Sequence, residues 1–218
     1  FPANFFNDIY GVDVNFTATE PCAPCPPCPP TEGFLINLTS PGFIHVVTGV
    51  GSCVIEALGQ TPVGAPCRQC SLVPTSVFAW DGCCDCPGDG NGQVALAIRE
   101  VYGSDTFPQP MSGKTWTNCG PRYSVARVAV SVTRCLPAVG QDGAAPDCDA
   151  ELLAAVTLEN DRTAVRQAIA CCLNSAHVTT PALVSQWLIL GSTTLPESGG
   201  CGGFETEFLV AVQSCLCP

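Results

Sequence analysis

Two-residue alternation is the strongest pattern in this chain. From Tyr123 through Leu136 (YSVARVAVSVTRCL), Val125, Arg127, Ala129, Ser131 and Thr133 fall on one side, and Ala126, Val128, Val130, Val132 and Arg134 on the other. Successive side chains of a pleated strand point to opposite faces, so this run predicts a long strand. A shorter run of the same kind extends from Gln93 to Tyr102, with Val94, Leu96 and Ile98 set against Ala95, Ala97 and Arg99. Residues 76–81 (SVFAWD) alternate more weakly and stop at the turn-rich GCCDCPGDGNG. Two further strands are predicted late in the chain, from Ala182 to Leu195 and, past the Gly-rich turn ESGGCGG, from Phe204 to Leu216.

Helical spacing takes over from Asp147 to His177, the longest stretch free of Gly and Pro. Good helix formers dominate it, and Leu152, Val156, Leu158, Ala164, Val165, Ala168, Ile169 and Cys172 recur at roughly helical intervals, which predicts one long helix or two abutting ones with a buried stripe. Asp147 or Asp149 suits the N-cap, Glu151 suits the positive end of the helix dipole, and Asn174-Ser175 reads as the exit. A shorter helix is predicted after Ser40-Pro41, with Ser as cap, Pro at the first helical position and Gly59 as the stop. Phe43, Val46, Val47, Val50, Val54, Ile55 and Leu58 would form its buried face. The segment TPVGAPCRQCSLVPTS that follows reads as a loop.

Residues 1–40 differ in kind. Their first half carries aromatics without a period, and PCAPCPPCPP is a Pro/Cys run suited to extended, polyproline-like backbone. The predicted organisation is an extended N-terminal arm over residues 1–40 and a folded region over 41–218. The fold class is α+β: a mixed, mainly antiparallel sheet packed by one long helix and one shorter N-terminal helix.

Composition narrows the function. The 218 residues carry a formal net charge of −11, and Lys114 is the single lysine. So few cations neutralise few phosphates, which argues against sequence-specific nucleic-acid binding and against an anionic membrane surface. No apolar run reaches the roughly 18 residues of a membrane span, and the expected chain is soluble. Seventeen cysteines, an odd number, leave at least one thiol unpaired within the monomer or bonded elsewhere. Phe1 is not an initiator Met, so a segment upstream is expected to have been cleaved or left out.

The cysteines also supply the candidate chemistry. Cys67 and Cys70, followed by Cys83, Cys84 and Cys86, have the spacing of a small zinc ribbon, with Cys67, Cys70, Cys83 and Cys86 as the four candidate ligands. Against metal, a predicted strand separates the two groups, no Gly completes the first knuckle, and disulfides or buried thiols explain the same residues. Cys22, Cys25 and Cys28 have a C-x2-C-x2-C spacing, but the intervening prolines stiffen the turn a knuckle needs. His45 and His177 are the two histidines, and neither sits in a nucleophile motif. No nucleotide-binding, serine-hydrolase or zinc-protease pattern occurs. Asp81, Asp85, Asp89 and Asp105 read as turn formers. The expectation is a non-enzymatic protein without catalytic residues or cofactor.

The whole pattern carries a resemblance. A first helix, then APCRQC, SVFAWDGCCDC, GQVALAIREVY and TNCGPRYSVARVAVSVTRCLPA, a long helix ending AIACCL, and a Gly-Gly-Cys-Gly-Gly turn before the last strand resemble the cysteine-bearing structural proteins of the head-to-tail region of actinobacterial long-tailed bacteriophages. Among these the chain is most similar to the tail terminators, over roughly residues 43–217. The Cys-Pro arm departs from the usual pattern. The resemblance implies a virion structural protein, assembled in the host cytoplasm into a homo-oligomeric ring, usually a hexamer. Such a ring caps the tail tube, meets the head connector or stopper protein, and lets DNA pass through. Two other classes stay open: a secreted disulfide-rich binding or structural protein, and a zinc-binding cytosolic protein.

Overall fold

The computed structural model describes residues 42–74, 83–85, 92–111, 121–137, 144–179 and 183–213. The N-terminal arm, the strand expected over residues 76–81, and Cys86 lie outside them. Helix α1 spans Phe43–Gly59 and buries Val46, Val47, Val50, Val54 and Leu58. Its N-cap is Gly42, in extended conformation and with no side-chain cap hydrogen bond, rather than the Ser40 expected from sequence. A three-residue strand, β1 (Arg68–Cys70), interrupts the segment expected to be a loop. Then come β2 (Gln93–Ser104), β3 (Tyr123–Cys135), the 32-residue helix α2 (Cys148–Thr179), β4 (Gln186–Ser198) and β5 (Cys201–Gln213). The fold is α+β.

The five strands form one sheet in the order β1-β2-β3-β5-β4. β1 runs parallel to β2 and every other pairing is antiparallel. The strand with the longest alternating run, β3, is the central one. Both helices lie on one face, where Val94, Leu96, Ala126, Val128, Val130, Val132, Phe204, Phe208 and Val210 of the sheet meet the buried residues of α1 and Val165, Ala168, Ile169 and Leu173 of α2. Alternation thus assigns the helix-facing set of β2 and β3 correctly. Apolar stripes with no other partner in water are driven together in this two-layer arrangement.

The opposite face is not the open surface that the polar half of the alternation suggests. Ala95, Ala97 and Ala129 form a small buried cluster with Cys70 and Val73, and Val125, Leu209 and Ala211 form a second with Tyr102, Phe107 and Tyr123. Ion pairs Arg99–Glu205 and Arg127–Glu207 also lie on this face. The segment after β1 is held beside β2 by Val73 N–H donating to Leu96 O at 2.8 Å, and the Val73 side chain packs on the first cluster.

The sheet edges are irregular. β1 is short, and β4 carries register shifts after Ile189 and after Leu195, the second of them at Pro196. Bulges and proline are devices that discourage edge-to-edge pairing.

Candidate functional site

One end of the sheet concentrates the unusual chemistry, and the local sequence explains how it forms. Gly199 and Gly200 both have positive φ, 61° and 75°, as a tight two-residue hairpin demands of its central positions. They join β4 to β5 and bring Ser198 opposite Cys201. The second Gly pair has another task. Gly203 lies against β3 so closely that a methyl group there would overlap the Val132 carbonyl oxygen and sit 2.8 Å from Thr133 Cα. The Gly-Gly-Cys-Gly-Gly sequence is therefore a turn followed by a close strand contact, with Cys201 held between them and directly opposite Cys135 of β3.

Two disulfides pin the short turn at residues 83–84 to this end. Cys83 bonds Cys201, 118 residues away, and Cys84 bonds Cys135, 51 residues away. Cys83 and Cys201 are buried, whereas Cys84 is exposed. Beside Cys135, Arg134 turns to the helix face and donates from Nε to Asp161 Oδ2 of α2 at 2.7 Å and from an Nη to Gly64 O at 2.7 Å. Asp161 is fully buried and its Oδ1 has no hydrogen-bond partner among the described residues. The pair ties β3, α2 and the loop after α1 at one point.

Asp161 also marks a change along α2. From Asp161 onward the helix buries Val165, Ala168, Ile169 and Leu173; before it, no residue of the helix is buried. Leu152, Leu153 and Val156 are 64%, 68% and 48% exposed. At about 100° per residue Leu152 and Val156 lie roughly opposite Val165, and Leu153 lies at the border of the same side, nearer Ala168. They therefore do not continue the core stripe, as the sequence reading had Leu152 and Val156 do. Next to Leu153, a groove of about 380 Å³ runs between Ala150, Ala154 and Thr157 of α2 and Cys135–Pro137 at the end of β3. The surface so formed is apolar, contiguous and carried on a rigid helix.

Among the described residues, those singled out from sequence are not brought together as a ribbon. Cys67 is disulfide-bonded, Cys70 is a free half-buried thiol in β1, and Cys83 is committed to Cys201. His45 is exposed on α1, and the His177 ring contacts Val184 O through Nδ1 at 2.9 Å. Asp105 accepts from Arg122 N–H at 3.4 Å. Sequence reasoning missed Cys135 and Cys201 as partners, because only the β3–β5 register places them side by side. It missed Leu153 because the helical positions were taken as one stripe; projecting them at 100° intervals separates two. None of the described helices is long and apolar enough to cross a membrane. No protein-family profile matches this chain, and comparison with curated proteins gives no match.

Proposed function

We propose that this chain is a virion structural protein of the phage head-to-tail interface, a tail terminator subunit that assembles into a homo-oligomeric ring. In this reading the ring is a hexamer that caps the tail tube, meets the head connector or stopper, and surrounds the path of the DNA. The observation that carries the proposal is the exposed Leu152-Leu153-Val156 side of α2. Contiguous apolar surface on a rigid element marks interaction sites, and repetition of a heterologous contact closes a ring when the rotation permits. Blunted edges on β4 favour contact through the helix over extension of the sheet. A net charge of −11 suits a conduit through which a polyanion must slide without sticking. The order of elements, with its long helix and Gly-Gly-Cys-Gly-Gly hairpin, adds the resemblance to tail terminators. Native mass measurement at micromolar concentration, with and without the tail tube and stopper proteins, tests the reading. A closed oligomer is expected, and monomer under every condition overturns it.

The disulfides favour a second reading, a secreted disulfide-rich binding or structural protein, because such bonds persist in oxidising compartments. The intact, unreduced mass of the native protein separates the two: sugar on Asn15 or Asn37, each in an Asn-x-Thr sequence, supports the secreted reading and excludes the virion one.

A further inference from the structure

Four cysteines meet at one end of the sheet, and they are not the four that sequence spacing selects. The sulfurs of Cys83, Cys84 and Cys201 lie within 4.8 Å of one another, and the fourth sulfur, that of Cys135, is bonded to Cys84. Cys83 Sγ and Cys84 Sγ, which are not bonded to each other, are 3.6 Å apart. Four thiolates around Zn2+ at about 2.3 Å have sulfur–sulfur separations of roughly 3.8 Å. Between the two disulfides the Cys83–Cys84 separation is thus already close to that of a tetrahedral thiolate site, and reduction frees each bonded pair to part toward it.

We propose that, once both disulfides are reduced, Cys83, Cys84, Cys135 and Cys201 form a tetrathiolate site for one Zn2+ per chain. Two of the ligands sit directly opposite each other on adjacent strands, so the sheet fixes their backbones before metal arrives. The other two come from one short turn, which the metal would hold in place as the disulfides do. Cys83 and Cys201 are each 2% exposed, which shields half of the ligand set from competing water. Soft, charged sulfur ligands select Zn2+ over Mg2+ or Ca2+.

The chemistry balances. Each disulfide takes two electrons and two protons from one dithiol molecule, which leaves as its own disulfide, so two dithiols yield four cysteine thiols. Zn2+ then binds four thiolates, and four protons pass to solvent. Oxidation by a disulfide compound reverses the sequence: both bonds re-form and Zn2+ is released. In a reducing compartment the metal fastens the turn to β3 and β5, and in an oxidising one the disulfides do. This inference does not depend on the ring proposal.

The test uses the full chain, reduced anaerobically with a phosphine, freed of reductant, and titrated with Co2+ as a spectroscopic stand-in. One equivalent should develop thiolate-to-cobalt charge transfer and the visible bands of tetrahedral cobalt, and Zn2+ should abolish both. The spectrum should be lost in Cys135→Ser and Cys201→Ser and retained when Cys22, Cys25 and Cys28 are all replaced by Ser, or when Cys67 and Cys70 are. A second measurement needs no variant. Alkylation of the reduced wild-type chain, mapped by mass spectrometry, should show Cys83, Cys84, Cys135 and Cys201 protected by Zn2+, while Cys148, exposed and free, is labelled equally with and without metal. Absence of a tetrahedral spectrum, or zinc protection that falls on Cys67 and Cys70 instead, overturns the proposal.

Discussion

The two halves of α2 share one helix and play opposite parts. Residues 161–177 place Asp161, Val165, Ala168, Ile169 and Leu173 in the core, whereas residues 148–160 pack only Leu158 partly against it and leave Leu152, Leu153 and Val156 exposed. Helix propensity is similar throughout, so propensity does not distinguish them; the position of the sheet does. β3 and β5 supply a surface for the second half, while the first half faces the end of β3 across the groove at Cys135–Pro137. Leucines exposed where polar residues would serve folding as well are what supports the proposed assembly role. That contrast is the basis for reading α2 as both a core element and an assembly element.

Substitutions at matched positions should break the contrast if it is wrong. Val165→Asp puts an unpaired carboxylate into the helix–sheet core, at a cost of several kcal/mol against a total stability of about 5–15 kcal/mol. The variant should be unfolded by circular dichroism, while Leu153→Asp should stay within about 0.5 kcal/mol of wild type in urea unfolding. Equal losses in the two variants would show that the first half is packed after all.

The boundary between the halves is the buried Arg134–Asp161 pair, and Arg134→Met should sharpen the comparison there. Loss of the guanidinium orphans a fully buried carboxylate, for which a loss of about 3–5 kcal/mol is expected. The double variant Arg134→Met with Asp161→Leu should recover a good part of that loss, because no charge is then left buried. Denaturant unfolding of the three proteins gives the coupling directly.

A smaller effect is expected on the strands beneath the packed half. Gly203→Ala should cost about 1–3 kcal/mol, since the added methyl meets β3 backbone rather than a movable side chain; a thermal melt of the variant checks it.

A further small effect is expected on the opposite face of the sheet. Tyr102 donates to Pro108 O at 2.8 Å, and burial, then the charge of Glu100, pushes its phenol above the ordinary range. A raised folded pKa stabilises below the ordinary phenol pKa, and that contribution is lost as pH rises through the folded value. Tyr102→Phe should cost about 1 kcal/mol at neutral pH and flatten the decline in stability at alkaline pH, with assembly unchanged.

Much of this fold was legible in the sequence because it rests on local repetition. Period-two alternation in β2 and β3 fixes which side chains meet the helices, and absence of Gly and Pro fixes the extent of α2 to within two residues at either end. What was not legible depends on contacts between distant segments. β1 is three residues in a turn-rich stretch and exists through parallel pairing with β2. The buried centre of the second face consists of alanines of β2 and β3, which carry little periodic signal. Cys83 and Cys84 find partners 118 and 51 residues away, set by strand register that no local spacing encodes. The two faces of α2 were readable in principle, since Leu152 and Val156 fall on the far side from Val165 when projected at 100° per residue.

The central claim is that the exposed side of α2 holds subunits together, and one comparison of native masses tests it most directly. A variant with Leu152→Gln, Leu153→Gln and Val156→Gln keeps good helix formers in place while removing the apolar surface. Measured at micromolar concentration beside the wild type, it should be monomeric with an unchanged melting temperature, while the wild type forms a closed oligomer. A variant that assembles as well as the wild type would contradict the account.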